Sequence, residues 1–392
     1  MINFNFFTPT RIIFGKDTHK ETGKIIKEYG FKKILLHYGK DSIKKSGLYD
    51  DIVNSLKENN IEFVELGGVK PNPELSLVLE GVKLAKENDV DMILAVGGGS
   101  VIDSSKSIGA GAKVDFNPFK FNLREETPKE SIPVGVVLTI AAAGSEMSDS
   151  CVITDSEKQF KRGFNSEFNR PLFSILNPEL TYTLPPFQTA CGIVDIMMHT
   201  LERYFSKTSD TELIDRMSEG LLKSVINAGK VAMENPCDYE ARATLMWAST
   251  LSHNGLTGTG KEVFLTCHQM AHEINGIYDT MAHGETLAIV FPAWATYMVK
   301  YAPKKLAQFA VRVMDCEYNK ENPEKTAYEG IEKIKEFFKS IGMPVSFKET
   351  PVVDLRRIPE MAEKCTNFGQ RKLNCYIPLG KEEIIEIYEL MK

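Results

Sequence analysis

Three of the seven histidines in this chain fall in one stretch, HQMAHEINGIYDTMAHGE, residues 268–285. His268 and His272 stand four residues apart, which puts both on one face of a helix. His283 follows after Gly276, so a helix, a turn and a return can bring it to the same place. A second stretch, TACGIVDIMMHTLERYF (189–205), repeats the spacing with Asp195 and His199. Ile193, Val194, Ile196, Met197, Met198 and Leu201 surround that pair, and an Asp buried among them needs a partner. One carboxylate with several imidazoles is a mixed N/O donor set that suits Fe2+ or Zn2+ better than Mg2+ or Ca2+. Spacing alone leaves a second reading open. Buried histidines also serve main-chain carbonyls, and an isolated Asp-x-x-x-His is common on solvated helix faces. HQMAH is not HExxH, because no Glu follows the first His. Cys267 reads as a core thiol. His19, His37 and His253 lack such neighbours and read as surface or structural residues.

A different chemistry is suggested by AVGGGSVIDSSK (95–106). Three glycines after an apolar strand allow a tight turn and close approach of the backbone to a ligand. The helix that follows offers unpaired N–H groups and a positive dipole end, which suit a pyrophosphate. The stretch is not the GxGxxG dinucleotide fingerprint, and glycines placed for packing alone are the competing explanation. LLHYGKDSIKKSG (35–47) is a second polar strand end. In a doubly wound sheet neighbouring strand ends converge on one ligand, although alone this segment reads as an ordinary loop.

The elements that must position these residues change character along the chain. Residues 32–39, 61–66, 90–99 and 132–141 read as strands. Residues 48–60, 73–89 (with Pro73 in its first turn) and 100–112 read as helices. This alternation predicts βαβ units and a mostly parallel sheet. Beyond NPELTYTLPPFQTACG (177–192) the signals are mostly helical. We therefore expect an α/β nucleotide-binding domain over 1–186 and a helical metal-binding domain over 187–392, with the boundary at Pro185–Pro186.

Bulk properties remove several classes of function. At 392 residues there is room for two domains. A hydrophobic content of 43% with 26% charged residues is that of an ordinary globular protein. The net charge of −6 offers no footprint for nucleic acid or an acidic membrane surface. No apolar run approaches the ~20 residues that span a bilayer. The start, MINFNFFTPTRIIFG, lacks the pattern of a secretory signal. Seven cysteines without a CxxC pair suit reduced thiols and a cytoplasmic location.

Taken in chain order, PTRIIFGKD, GGGSVIDSSK, LTIAAAGSE, LNPELTYTLPP, GIVDIMMHT, DYEARATLMWAS and AHGETLAIVFP span the chain end to end. Together they resemble the iron-containing (group III) alcohol dehydrogenases, and are most similar to the bacterial NAD(P)H-dependent butanol dehydrogenases and aldehyde reductases. The resemblance implies a dehydroquinate-synthase-like architecture and metal ligands at Asp195, His199, His268 and His283. It places His272 in the active site outside the ligand set. It assigns Gly97, Gly98, Gly99 and Ser100 to the pyrophosphate and Asp103 to the nicotinamide end. Thr139 and Ser145 become cofactor contacts, Lys161 falls near the nicotinamide ribose, and Gly39, Lys40 and Ser42 fall at the adenosine ribose. Three departures stand out. Ala143 replaces a hydroxyl residue of the family, GKDS stands at 39–42 where relatives show GGGS, and the His268–His283 spacing is one residue longer.

The implied reaction is hydride transfer between NADP (or NAD) and a small primary alcohol or aldehyde such as butanol or butanal. Fe2+ (or Zn2+) polarises the substrate oxygen, and His272 relays a proton. The site is expected in a cleft between the domains, and the molecule is expected to be a homodimer. Lys40, with Lys44 and Lys45 nearby, favours the 2′-phosphate of NADPH over NADH despite Asp41. A dehydroquinate-synthase-like lyase would need several cations around the metal, which GIVDIMMHTLERYF lacks. A glycerol-dehydrogenase-like polyol oxidoreductase is a further alternative. A non-catalytic nucleotide-binding protein would show a missing ligand, and none is missing.

Overall fold

The structure, a computed structural model, describes residues 1–350 and 353–392. Among the described residues eight strands are present: β1 (Arg11–Phe14), β2 (Lys33–Tyr38), β3 (Glu62–Leu66), β4 (Met92–Gly97), β5 (Val134–Leu138), β6 (Ser150–Asp155), β7 (Phe160–Asn165) and β8 (Phe173–Leu176). Five helices concern the site: α1 (Gly99–Gly111), α2 (Pro186–Tyr204), α3 (Tyr239–His253), α4 (Thr266–Ile277) and α5 (His283–Met298). Two compact units form. One joins Phe7–Leu184 with Pro236–Asn254, and the other joins Met1–Phe6, Pro185–Asn235 and Gly255–Lys392. Residues 236–254 carry α3, so this helix folds with the α/β unit although the sequence puts it in the helical half.

In the α/β unit six strands make one sheet in the order β1-β8-β5-β4-β2-β3, and every pairing is parallel. The mostly parallel α/β sheet expected from the alternating elements is present. Both faces of the sheet are covered, which explains the near-continuous apolar runs in its central strands. Ile34, Leu36, Leu94, Val96 and Ile175 pack on one side. Leu35, Ile93, Ala95, Val136 and Leu138 pack on the other, against Val101, Ile102 and Ile108 of α1. The chain moves outward from β2 to β3 and then returns to β4 on the other side of β2. The strand order therefore reverses between β2 and β4, and the crevice beyond their carboxyl ends is where ligands of such sheets bind. β6 and β7 form a separate antiparallel hairpin.

The helical unit, described by itself, is built around α2. Pro186 occupies its first turn, where the missing N–H costs nothing. Every residue from Thr189 to Tyr204 is buried, so α2 is enclosed on all sides, and the polar residues it carries there need partners. Among the described residues no helix is long and apolar enough to cross a membrane.

Candidate active site

In the helical unit α2 carries Asp195 and His199 one turn apart, as their spacing predicts. α4 begins at Thr266 and presents His268 and His272. It runs through Gly276 to Ile277, and α5 then starts at His283. Gly284 permits this close entry, because a Cβ there would lie 2.2 Å from the Cys191 carbonyl oxygen of α2. Glu285 Oε2 accepts the Ala282 N–H at 3.1 Å and caps the start of α5.

Asp195, His199 and His268 converge as three buried donors with ligand atoms within 4.8 Å of one another. The His199 and His268 rings are 4.3 Å apart. The His283 ring lies 5.3 Å from His268 and 5.3 Å from His272. His272 is further from His268, at 6.4 Å. Thus the structure gathers all five residues, with three in the tight cluster and His283 and His272 beside it.

The polar atoms of this cluster are not satisfied by one another. Asp195 Oδ1 is 3.2 Å from His199 Nδ1 and 3.5 Å from His268 Nε2. Neither approach has hydrogen-bond geometry, so Asp195 Oδ1 and His268 Nε2 are buried without a hydrogen-bond partner among the described residues. Such orphans are costly, and a divalent cation accepting from both would remove the cost. The mixed N/O donor set fits Fe2+ or Zn2+.

The local field agrees. Burial opposes ionisation of Asp195, but His199, His268 and His283 outweigh it and hold its carboxyl well below the usual carboxylate range. Burial, and then the charge of His268, lowers His199. Burial also disfavours the His268 cation, yet Glu202 and Asp195 prevail and raise it to about 9. A cation bound at Nε2 would take the place of that proton.

Two residues around the cluster went unmarked in the sequence. Glu202, three residues after His199 on α2, hydrogen-bonds His268 Nδ1 through Oε2 and accepts the Cys267 N–H at 2.5 Å through Oε1. Asn275 Oδ1 lies 3.0 Å from His283 Nδ1. The i, i+4, i+7 series Asp195, His199, Glu202 was the available signal for the first.

In the α/β unit Gly39, Lys40 and Ser42 follow β2, Gly97–Ser100 follow β4, and Thr139 follows β5. These are three adjacent parallel strands, and the first two flank the reversal of strand order. The Thr139 N–H donates to the Gly97 carbonyl at 3.1 Å. The glycine turn is also tightly packed: a Cβ on Gly98 would lie 2.1 Å from Ile140. Packing therefore demands glycine at 98, while the start of α1 at Gly99 supplies the helix terminus that suits a phosphate. Ala143 lies over that terminus, 3.0 Å from where a Gly99 Cβ would be. Lys40, Asp41 and Ser42 are exposed. Lys44 is turned aside, over the Tyr38 ring at 5.4 Å and the Tyr49 ring at 5.1 Å.

Asp103 and Ser145 hold each other. Ser145 Oγ donates to Asp103 Oδ1 at 2.6 Å, and the Val152 N–H donates to Oδ2 at 3.0 Å. Lys106, which the sequence did not single out, is buried beneath them. Its Nζ donates to Ser145 Oγ at 2.8 Å and to the Ser150 carbonyl at 2.8 Å. Burial pushes Asp103 up and Lys106 down. Lys161 of β7 reaches Asn72 Oδ1 at 2.9 Å, with both side chains buried. From α3, Ser249 Oγ accepts the Ala142 and Gly144 N–H groups at 3.1 and 3.2 Å. Thr250 Oγ1 donates to the buried Glu146 at 2.7 Å, so α3 shapes the loop that carries Ser145.

A parallel sheet with a glycine turn at its reversal point, together with a buried carboxylate–histidine cluster on helices, defines a class of nucleotide- and metal-dependent enzymes. Residues 9–178 match the iron-containing alcohol dehydrogenase family, and residues 189–391 match the Fe-containing alcohol dehydrogenase family, C-terminal. The chain is 39% identical over 390 residues to NADH-dependent butanol dehydrogenase A of Clostridium acetobutylicum, covering 99% of each. It is 36% identical over 376 residues to an NADPH-dependent aldehyde reductase of Escherichia coli, covering 95% of each. The crystal structure of NADH-dependent butanol dehydrogenase A from Thermotoga maritima superimposes with a TM-score of 0.95 at 37% identity, covering 100% of this chain and 99% of that one. The chain belongs to the iron-containing alcohol dehydrogenase family.

Proposed function

We propose that this protein interconverts a small primary alcohol and its aldehyde, such as butanol and butanal, by hydride transfer with NAD(P)H at a metal held by Asp195, His199, His268 and His283. The observation that carries this reading is the buried, unpartnered pair Asp195 Oδ1 and His268 Nε2 within a three-donor cluster. When bound, Fe2+ or Zn2+ supplies Lewis acidity to the substrate oxygen, and the nicotinamide supplies or accepts the hydride. The chain's own residues bind, orient and move protons. The ionised Asp195 balances the charge of a cation. His272, partly exposed and one turn beyond His268, carries a proton on its imidazole to or from the substrate oxygen. Gly97, Gly98, Gly99 and Ser100 receive the pyrophosphate, and Lys161 lies at the nicotinamide ribose. Asp103, Ser145 and Thr139 line the cofactor loops.

Lys40, exposed after β2, supports NADPH over NADH, with Gly39 and Ser42 at the adenosine ribose. Relatives of both preferences are known by name. A homodimer and a cytoplasmic location complete the reading. The test is oxidation of NADPH and NADH across a panel of aldehydes, with the protein loaded with Fe2+ or Zn2+ and then stripped. Turnover that depends on metal and on aldehyde is expected. Equal turnover after stripping, or none with any aldehyde, overturns the reading.

A further inference from the structure

Three histidine rings of the helical unit have their Nδ1 atoms engaged, each by a different kind of acceptor. His199 Nδ1 meets the main-chain carbonyl of Asp195 at 3.0 Å. His268 Nδ1 meets the Glu202 carboxylate. His283 Nδ1 meets Asn275 Oδ1 at 3.0 Å. A neutral imidazole has one N–H and one lone pair. Where Nδ1 donates, the lone pair is at Nε2. The surroundings therefore select the same tautomer three times.

The two side-chain acceptors are themselves fixed. Asn275 Nδ2 donates to the Met281 carbonyl at 3.1 Å and to Thr286 Oγ1 at 2.9 Å. Only Oδ1 is then left to face His283. Glu202 Oε1 accepts the Cys267 N–H at 2.5 Å, with the His268 N–H at 3.4 Å. Both donors stand in the first turn of α4, where main-chain N–H groups have no intrahelical acceptor. One buried carboxylate on α2 thus caps α4 and orients the ring of its third residue. The same helix carries Asp195 and His199, so Glu202 ties ligands on two helices into one arrangement.

We propose that Glu202 and Asn275 are positioning residues of the metal centre, fixing the ring orientation and Nδ1–H tautomer of His268 and His283 and thereby setting the affinity for a divalent cation. This rests on the metal reading above. Glu202 has the larger effect, because a bond to a charged acceptor is roughly twice as strong as a neutral one. Gln at position 202 has the same shape but only one acceptor oxygen. It can serve the Cys267 N–H or the His268 ring, and it turns an N–H toward the other.

The experiment measures Zn2+ affinity by chelator competition on the purified full chain, for wild type, Glu202→Gln, Asn275→Ala and His268→Ala. Glu202→Gln should weaken binding about 10–100-fold, the usual cost of losing a partner behind a metal-ligating histidine. Asn275→Ala should fall between it and wild type. A second measurement does not depend on any variant folding. In the Zn2+-loaded wild type, long-range 15N–1H correlations of the histidine rings should show Nδ1–H at His268 and His283. Coordination through Nδ1 at either ring overturns the proposal. If His268→Ala loses Zn2+ while Glu202→Gln binds within about twofold of wild type, the positioning role falls and the metal reading stands. If His268→Ala keeps wild-type affinity, the metal reading itself falls.

Discussion

In the helical unit Asp195 Oδ1 and His268 Nε2 are buried with no hydrogen-bond partner among the described residues. In the α/β unit the half-buried Asp103 and the fully buried Lys106 are wrapped in bonds from Ser145, Ser150 and Val152. Both regions place charge largely out of the reach of water. The first leaves a deficit that a cation can fill, and the second leaves none. A deficit shared by a carboxylate and an imidazole is one that a divalent cation can fill. A filled one marks scaffold, whose loss is felt as stability.

This contrast can be broken by mutation. The largest effect is expected at His268: replacement by Ala should abolish both metal content and turnover while circular dichroism shows a folded chain. Retained metal by elemental analysis would refute the assignment. His272→Ala should keep the metal and slow turnover by ~10²–10⁴-fold, as for a lost proton carrier. Metal loss equal to that of His268→Ala would instead make it a ligand. Lys106→Met should act on the other side of the comparison. It leaves the half-buried Asp103 without the ammonium 3.9 Å away and the buried acceptors of Lys106 without a donor, and chemical denaturation should show a loss of about 1–3 kcal/mol with metal content unchanged. The smallest effect is expected at exposed Lys40. Lys40→Asp should shift the ratio of kcat/KM for NADPH over NADH toward NADH by several-fold, as a surface pair worth about 1 kcal/mol allows. A ratio that does not move, or a wild type that prefers NADH, removes Lys40 as the reader of the 2′-phosphate.

The parallel sheet is legible because its central strands are buried on both faces. VDMILAVGGG reads as a strand on composition alone, and β2 and β5 do likewise. The hairpin of β6 and β7 carries no such run, since CVITD and FKRGFN mix charge with apolar residues. The pairs Asp195–His199 and His268–His272 are visible because a helix converts a spacing of four into a shared face. Glu202 obeys the same geometry, but a Glu beside Arg203 reads as a solvated pair, and its bonds run to a different helix. Asn275 is hidden for the same reason. Lys106 stands in plain view within GGGSVIDSSK, but a lysine is rarely fully buried, so only the structure reveals where its ammonium ends. α3 reads clearly as a helix, but its side of the molecule is a long-range property.

That helix has a consequence for how the protein can be taken apart. Residues 7–184 contain all six strands of the main sheet, and Pro185–Pro186 looks like a natural place to sever the nucleotide unit from the rest. Such a fragment would lack Ser249 and Thr250. The amides of Ala142 and Gly144 would lose their acceptor, and Glu146 would lose its donor. On the ribosome the same shortage lasts until residue 254 has emerged, so the loop that bears Ser145 is finished only after the first helices of the helical unit have been made. Dissection of this enzyme into autonomous halves needs residues 236–254 grafted back, not a single cut.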